Sequence, residues 1–474
     1  MSWDLVIANG EVVIPELGIV EADVAIEGDR VAALGKGLGA AGETIDATGQ
    51  VVLPGVVDPH VHLGLENPFA DDASTETASG LASGITTIGI FLRSLEDPYA
   101  PQLPGIREEY EANAFTDCFF HLQIFNEAQL AELAADAELG TTSFKFYMHG
   151  LPGVVPSVDD GFLLAGFRAI AELGDGAIAC VHAENDSIVL RATAALERER
   201  PDGTLADWAD SHPDEAEAEA IHRAAYLARL AGCRLYVVHL STRLGLEEAR
   251  AAREAGGRVY FETTSPLLSI AKDDPIGLLG KMSPPLRSQA DLDALWEGVL
   301  DGQIDTVGTD NTSRSRAAKQ VDAGLHGSRT GYPALATHLP TLIEEGYHRR
   351  SVPLTTIARI ACMGPASVYG AYPRKGTITV GGDADLAVID LHQEHTVRPE
   401  ELHSFSDFSI FEGRSMRGWP TAVIKAGQVA VRDGEILAEP GSGRYIRRDP
   451  SRRTGQGVAV RCGGSRPIRR APAC

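Results

Sequence analysis

The chain contains the stretch Val51-Val-Leu-Pro-Gly-Val-Val-Asp-Pro-His60-Val-His62, an apolar run that ends in two histidines two residues apart. Side chains at positions i and i+2 of an extended strand point the same way. We therefore expect His60 and His62 to share one face at the end of a buried strand. Two neutral imidazoles in that arrangement can hold one divalent cation, although a chance pair on a surface strand is the alternative.

Length and composition limit the class of protein. The 474 residues, of which 44% are hydrophobic, suffice for one large barrel and an accessory domain. A net charge of −24 disfavours nucleic acid and anionic membranes as partners, because Lys and Arg bind both. We therefore expect a small-molecule ligand.

The sequence also indicates where the protein works. It has no apolar run long enough to span a membrane and no basic-then-apolar leader. Its six cysteines form no CxxC pair, which favours reduced thiols over disulfides or a cysteine zinc site. These features predict a soluble, cytoplasmic protein.

Short apolar runs alternate with longer segments of helical period between residues 51 and 311. This alternation is typical of repeated βα units. Eight such runs predict an α/β fold of the (β/α)8 TIM barrel type, whose active site lies at the C-terminal ends of the strands. The predicted strands cover 51–57, 85–91, 118–125, 143–148, 178–183, 234–240, 258–263 and 305–309.

Residues 1–50 and 375–440 have a different sequence pattern, in which short segments of alternating apolar and polar residues are separated by turn residues. Each segment is too short to enclose a core alone. We expect both to form one small composite β-sandwich domain, and 51–374 to form the catalytic barrel. Residues 441–474, with many arginines among Gly, Ser and Pro, are interpreted as a mobile basic tail or a subunit-contact arm.

Side chains able to bind a metal fall at the ends of these strands. His60 and His62 end the first strand, and Lys145 lies within the fourth. The fifth, sixth and eighth strands end in His182, His239 and Asp310. His121, in the third strand, is interpreted as a core or supporting residue. Seven histidines in helices or loops are interpreted as ordinary surface or packing residues: His212, His222, His338, His348, His392, His395 and His403.

This order of residues resembles the cyclic amidohydrolases, the group of hydantoinases, dihydropyrimidinases, allantoinases and dihydroorotases. The resemblance covers residues 4–448. Within the group, the overall sequence pattern is most similar to that of the hydantoinases. The motifs that carry it lie, in the family's order and spacing, at 54–62, 78–87, 143–145, 181–185, 238–241, 282–287, 308–310 and 376–385.

The resemblance implies a centre of two divalent metal ions, most often zinc. One ion takes His60, His62 and Asp310, and the other takes His182 and His239. Lys145 bridges the two ions as an N6-carboxylated side chain, the carbamate formed with CO2. The family's members also imply a homo-oligomer, either a tetramer or a dimer.

The implied reaction is hydrolytic opening of a cyclic amide or ureide C–N bond by a metal-bridged hydroxide. Asp310 accepts the proton of the attacking water and later delivers it to the leaving nitrogen. Another ring, such as an allantoin, lactam or acidic imide, is the alternative substrate. A catalytically inactive assembly homologue is the alternative from another class, but retention of every expected metal position favours an enzyme.

Three departures from the family pattern leave the substrate open. Dihydroorotases carry an Arg two residues after the His-X-His motif, where this chain has Leu63-Gly64. The Tyr that hydantoinases place five residues after the Lys is Gly150 here, and Asp310 is followed by Asn rather than His. Candidate substrate contacts are therefore the nearby polar residues Ser283, His149, Asn311, His326, Arg314 and Arg316.

Overall fold

The computed structural model describes residues 2–151 and 153–452. Its strands, in chain order, are β1 (Trp3–Ile14), β2 (Gly18–Glu27), β3 (Arg30–Gly35), β4 (Ala41–Asp46), β5 (Val51–Pro54), β6 (Val56–His62), β7 (Ile85–Leu92), β8 (Asp117–Gln123), β9 (Ser143–Tyr147), β10 (Ile178–His182), β11 (Leu235–Val237), β12 (Val259–Thr264), β13 (Thr306–Gly308), β14 (Asn311–Thr312), β15 (Leu386–Ile389), β16 (Glu394–Thr396), β17 (Ser415–Arg417), β18 (Pro420–Lys425), β19 (Gln428–Arg432) and β20 (Glu435–Ile436).

Helices connect the barrel strands. They are α1 (Phe69–Ala82), α2 (Leu103–Asn113), α3 (Glu127–Ala131), α4 (Leu133–Glu138), α5 (Asp160–Leu173), α6 (Asp186–Glu199), α7 (Leu205–Trp208), α8 (Asp214–Ala231), α9 (Arg243–Glu254), α10 (Gln289–Leu300), α11 (Gly324–Gly327), α12 (His338–Thr341), α13 (Leu354–Ala358) and α14 (Gly364–Val368). Short π-helical segments cover Leu342–His348 and Arg359–Met363, and 3-10 turns cover Ala209–Ser211, Gly277–Gly280, Val321–Ala323, Leu335–Thr337 and Pro399–Glu401.

Several helices begin where the chain supplies a polar cap. The side chain of Asp159 accepts a hydrogen bond from the Phe162 amide at the start of α5. Ser288 and Asp291 form a capping box at the start of α10. Such caps satisfy amides that have no partner within the helix and mark the point where a loop from a strand turns into a helix.

The two ends of the chain build one nine-stranded sheet. Along it the strands follow the order β20-β19-β18-β15-β5-β1-β2-β3, and β4 also pairs with β1. The inward side chains of these strands, among them Val24, Val52 and Ile424, form one apolar cluster. The structure thus confirms an additional β domain assembled from both termini.

The second nine-stranded sheet is the barrel. Strands β6 to β13 lie side by side in sequence order and are parallel, and β14 pairs with β6 to close the ring. Strands β7 and β8 are buried along their whole length, as expected where helices cover the outside and side chains fill the inside. The predicted (β/α)8 barrel is confirmed.

The eighth strand position is filled by two short pieces. β13 pairs with β12, and β14 pairs with β6, with Asn311 opposite Val61. Between them, Asp310 has a backbone φ of 55°, in the left-handed region that few residues other than glycine adopt. Barrel closure therefore places a strained aspartate beside the end of β6, the first strand of the barrel.

Two sequence-based predictions are corrected here. The run 51–57 is not one strand, because Gly55 separates β5 of the terminal sheet from β6 of the barrel, and β6 continues through His62. A Cβ on Gly55 would overlap Thr86 Oγ1 at 2.2 Å, so the chain can cross between the sheets only with glycine there. The division into domains otherwise remains our proposal.

The second correction concerns the basic C-terminal segment. Its residues up to 452 pack along the barrel: the Cys118 amide donates to the Arg444 carbonyl (2.9 Å) and the Ile446 amide donates to the Cys118 carbonyl (2.7 Å). Arg448 is buried and donates from Nη1 to Ser143 Oγ (3.0 Å). This part is a fixed element of the fold, while residues 453–474 lie outside the described residues.

The four described cysteines are free and buried: Cys118, Cys180, Cys233 and Cys362. Within the described part of the chain, the helices are all too short or too polar to cross a membrane.

A buried ion network joins the terminal sheet to the barrel. Lys375 Nζ lies 2.6 Å from Asp117 Oδ2 and 2.9 Å from Asp383 Oδ2, and also pairs with Asp385. Lys425 Nζ lies 2.7 Å from the other oxygen of Asp117. Buried charges persist only when paired. The three carboxylates are close enough together to hold a cation, but two ammonium groups already occupy that role.

Replacing Lys375 by Met is expected to destabilise the fold by about 3–5 kcal/mol, because carboxylates would stay buried without their shared cation. The urea midpoint of unfolding measures this loss. Lys36→Met, which removes an exposed ion pair with Glu21, is the matched control and should leave the midpoint unchanged. Equal midpoints for the two variants would refute the role of the network.

Candidate metal centre and active site

Three predicted ligands meet where the barrel closes. His60 and His62 point to the same face of β6, and the closing strand brings Asp310 against them. Asp310 Oδ1 lies 3.2 Å from Nε2 of each histidine. The structure therefore unites residues that are about 250 positions apart in the sequence and offers their ligand atoms to one point.

Two further predicted ligands meet across the neighbouring strands. His182 ends β10, and His239 follows β11 with a positive φ of 39°. Nδ1 of His182 lies 2.9 Å from Nε2 of His239. The His239 ring also stacks on the His60 ring with centroids 5.7 Å apart, so the two groups of histidines adjoin.

Lys145 lies in the middle of β9 and is 1% exposed. Among the described residues, Nζ has no hydrogen-bond or ion-pair partner, and it faces the rings of Phe91 (5.0 Å) and Tyr147 (5.1 Å). Burial lowers the pKa of this amine to about 8, because the charged form loses its hydration. A neutral amine is the form that can react with CO2.

Two buried glutamates orient the histidines. Glu262 Oε2 lies 2.9 Å from Nδ1 of His60. In its ionised form Glu262 accepts the Nδ1 proton, which leaves Nε2 of His60 with a free lone pair toward Asp310. Glu184 Oε2 accepts from Nε2 of His182 (2.7 Å), which leaves Nδ1 free toward His239. A carboxylate behind an imidazole fixes its tautomer and raises its basicity as a metal ligand.

A third buried histidine extends this network. Nδ1 of His212 lies 2.8 Å from Oε1 of Glu184. Burial by itself would raise the pKa of Glu184, but the adjacent imidazoles of His212 and His182 outweigh it and hold this pKa well below the usual range. Glu184 therefore stays ionised, as a partner to His182 must.

Hydrogen bonds hold the backbone next to Asp310 against β6. Asp58 accepts hydrogen bonds from Thr309 Oγ1 (2.6 Å), the Thr309 amide (3.1 Å) and the His60 amide (3.1 Å). Burial raises the pKa of Asp58 to about 7. These bonds set the distance between the histidine pair and Asp310.

The donor set fits a divalent metal ion. Nitrogen and oxygen ligands lie 2.0–2.1 Å from zinc, so tetrahedral neighbours are about 3.3 Å apart. The separations of 3.2 Å within the first group and 2.9 Å within the second come close to that value. Neutral imidazoles with a carboxylate suit zinc better than calcium or magnesium, which prefer oxygen alone.

The predicted substrate contacts separate into two groups. His149 is buried, its Nδ1 lies 2.8 Å from Asp186 Oδ1, and its ring centroid lies 6.2 Å from that of His182. Ser283 is half-buried, and its Oγ has no partner within the described chain. Arg314 follows β14 and lies beside Glu66. These three residues stay candidates.

The other three candidates each have a hydrogen-bond or ion-pair partner within the protein. Asn311 is fully buried, donates to Glu76 (3.1 Å) and accepts from the Ala334 amide (2.8 Å), so it supports the closing strand and cannot reach a substrate. His326 Nε2 is held by the Arg200 carbonyl (3.0 Å). Arg316, 44% exposed, pairs with Glu412. Asn311 and Arg316 are therefore set aside as substrate contacts. His326 stays a prediction, because its Nδ1 has no partner among the described residues.

Sequence reasoning missed Glu262 and His212. Glu262 lies on β12, the seventh strand of the barrel. This strand carries no predicted ligand, so nothing in its local sequence pattern points to His60. His212 follows a short helix and was interpreted as an ordinary packing residue; the structure places it behind Glu184. Glu184 could have been found, because it lies two residues after His182 in a motif already singled out.

Comparison with known proteins agrees with this geometry. Residues 51–430 match the model of the amidohydrolase family. The chain is 34% identical to a D-hydantoinase of Geobacillus stearothermophilus (93% of this chain, 96% of the relative) and 33% identical to an allantoinase of Solibacter usitatus (93% and 98%). The solved structure of a D-hydantoinase from a Bacillus species superimposes with a TM-score of 0.86 at 34% identity, covering 94% and 99%.

The chain therefore belongs to the amidohydrolase family, whose members are typically metal-dependent. The prediction of a cyclic amidohydrolase enzyme is confirmed by relatives that carry hydantoinase and allantoinase names over nearly their full length.

Glu184→Gln is expected to weaken zinc binding about 10- to 100-fold, because the amide no longer holds His182 in the ligating tautomer. Competition between the protein and a coloured chelator measures the affinity. Glu248→Gln is the matched control, since Glu248 faces the exposed His222 at 3.1 Å on the surface. Similar affinities for both variants would show that the carboxylate behind His182 has no such role.

Proposed function

We propose that this protein is a hydrolase with two divalent metal ions that opens the C–N bond of a cyclic amide or ureide. Zinc is the proposed metal, because it suits an imidazole-rich donor set. The observation that supports it is the meeting of two ligand groups at the C-terminal ends of the barrel strands. His60, His62 and Asp310 form one group, and His182 and His239 form the other. This is the edge where barrel enzymes carry their active sites.

Lys145 is proposed to join the two groups as a carbamate. Its amine is buried beside both, with aromatic rings but no carboxylate partner among the described residues, so it is not needed as a structural cation. Addition of CO2 forms a new N–C bond with loss of one amine proton. The product offers two anionic oxygens in place of a positive charge.

Two ions held there would acidify a water molecule and polarise the substrate carbonyl. Asp310 is proposed to take the proton of the attacking water and to deliver it to the leaving ring nitrogen. Its Oδ1 faces His60 and His62, and the bonds from Asp58 to Thr309 keep its carboxylate at that position. The C–N bond then breaks, the leaving nitrogen takes the proton, and the product is a linear acid.

The ring is proposed to be of the hydantoin or dihydropyrimidine type. Ser283 and His149 are proposed to contact it. The loop before Ser283 is rigid, because Trp208 Nε1 donates to the Met282 carbonyl (2.8 Å) and Lys281 Nζ donates to the Leu325 carbonyl (2.6 Å). An unpartnered hydroxyl on a rigid loop is suited to a small polar ring.

We also propose a homotetramer or homodimer in the cytoplasm that binds small molecules rather than nucleic acid or membrane. The four buried, unpaired cysteines support a reducing compartment. The net charge of −24 supports the exclusion of nucleic acid.

The zinc-loaded protein is expected to open hydantoin or dihydrouracil, to lose this activity on chelation and to regain it with zinc. His62→Asn should lower kcat at least about 100-fold together with the zinc content. His222→Asn, on an exposed histidine, should change neither. Chromatographic assay of the linear product measures the rate. Allantoin, dihydroorotate, a lactam and an imide are tested as further substrates. Absence of turnover on all of them would reject the proposed reaction.

Lys145→Arg is expected to bind fewer than two zinc ions, because a guanidinium stays charged and forms no carbamate. Zinc per chain, measured by atomic emission after dialysis, tests this. The wild-type protein prepared without bicarbonate should show the same deficit and recover when bicarbonate is added. A full complement of zinc in the variant would contradict the bridging role of Lys145.

A further inference from the structure

Two arginines stand on either side of the candidate metal centre. Arg93 directly follows β7, and Arg314 follows β14 by two residues. β7 and β14 are the neighbours of β6 in the closed barrel, and β6 ends in His60 and His62. Both arginines therefore leave the barrel at the edge where the candidate ligands lie.

Arg93 is half-buried and has no ion-pair or hydrogen-bond partner for its guanidinium among the described residues. Its charge acts on Tyr99, Tyr147 and Arg314. Burial raises the pKa of Tyr147, Asp310 adds to the rise, and Arg93 opposes it. Burial lowers the pKa of Arg314, and although Glu66 opposes this, Arg329 and Arg93 add to it. Arg93 thus lies within electrostatic reach of both Tyr147 and Arg314.

Tyr147 connects this charge to the active site. Its ring lies 5.1 Å from Lys145 Nζ and stacks on the His182 ring with centroids 5.7 Å apart. Its side chain is buried, yet its hydroxyl has no hydrogen-bond partner within the described chain. A hydroxyl that no group of the protein engages is available to a bound molecule.

Glu66 pairs with Arg314 only through a long contact and leaves part of its guanidinium without a partner. Glu66 Oε2 lies 3.5 Å from Arg314 Nη1, a long contact, while Glu66 Oε1 accepts from Ser315 (3.0 Å). The buried Arg314 Nε has no partner in the described residues. The nearby Asp72 is occupied by the Gly64 amide (2.8 Å) and by Asn67.

Two buried lysines lie near Arg314, and burial lowers the pKa of both, that of Lys281 to about 8 and that of Lys319 well below its usual range. Lys281 Nζ donates to the Leu325 and Ser328 carbonyls, and Lys319 Nζ donates to the Lys281 and Gly331 carbonyls. Neither has a carboxylate partner within salt-bridge distance in the described part of the chain. The lasting cations of this region are therefore Arg93 and Arg314, since a guanidinium stays protonated. Two guanidinium groups at the mouth of a barrel whose whole chain carries a net charge of −24 indicate an anionic ligand.

We infer that Arg93, Tyr147 and Arg314 form an anion-binding subsite beside the metal centre, and that the ring opened by this enzyme carries an exocyclic carboxylate. The inference deepens the proposed function and rests on it. A guanidinium binds a carboxylate through two parallel N–H donors, and the tyrosine hydroxyl supplies a third. The carboxylate is bound and not transformed, so the ring-opening chemistry is unchanged.

The position of this subsite differs from that of a dihydroorotase. There an Arg just after the His-X-His motif holds the substrate carboxylate, and this chain has Leu63-Gly64 at that place. Here the cations come from the strands on both sides of β6. The carboxylate is therefore expected on a flexible substituent, such as a carboxymethyl group, that reaches out from the ring.

The test compares three substrates with the zinc-loaded protein: unsubstituted hydantoin, a hydantoin with a carboxymethyl group on the ring carbon, and the corresponding carboxamide. We expect kcat/KM for the acid to exceed that for the amide about 10- to 100-fold, because charged hydrogen bonds discriminate the two. Arg93→Met and Arg314→Met should bring this ratio toward one, and Arg93→Lys should retain part of it.

Arg316→Met is the matched control, since Arg316 lies two residues beyond Arg314 but pairs with Glu412 at the surface, and its ratio should equal that of the wild type. Added NaCl should weaken binding of the acid more than of the amide. Equal kcat/KM for acid and amide, or an unchanged ratio in Arg93→Met, would overturn the subsite.

A calorimetric titration separates failure of the subsite from failure of the proposed function. If none of the three hydantoins is opened, a hydantoin substrate is ruled out for the proposed reaction, and binding of the acid and the amide to wild type and Arg93→Met still decides the subsite. Tighter binding of the acid that is lost in Arg93→Met supports it. Equal binding of acid and amide rejects it.

Discussion

The pairing of β14 with β6 is the constraint on which the site depends. It closes the barrel, and it forces the chain through Asp310 in a left-handed conformation between the two pieces of the eighth strand. Asp58 holds Thr309 by two hydrogen bonds and so fixes that turn. The strand pairing and these hydrogen bonds together hold the carboxylate of Asp310 toward His60 and His62.

The second requirement is electrostatic. The barrel interior buries imidazoles, an amine and several carboxylates, each of which loses hydration. The structure compensates with pairs in which each group has a defined partner: Glu262 behind His60, and Glu184 between His182 and His212. Lys145 is the exception, since it has only aromatic neighbours in the described chain, and that exception supports its modification by CO2.

Much of this could be predicted from the sequence because it depends on short-range patterns. The alternation of apolar and helical segments predicted the barrel, and the positions of His60, His62, His182 and His239 at strand ends predicted where ligands gather. Errors arose where contacts are long-range. The run 51–57 looks like one strand, but its two halves belong to different sheets, and Asn311 looks like a pocket residue although it is fully buried behind Glu76.

The sequence by itself determined the barrel and the candidate ligands, because strand periodicity and residue type carry that information locally. Its motifs, through their resemblance to the cyclic amidohydrolases, indicated the class of chemistry. Only the tertiary structure decided which side chains support the ligands, that the segment up to Arg448 is a packed part of the barrel, and that Tyr147 stacks on His182. The physical reason is that closing the barrel brings together residues from strands that are adjacent in space and hundreds of positions apart in the chain. Partnership between such residues leaves no periodic trace in either segment alone.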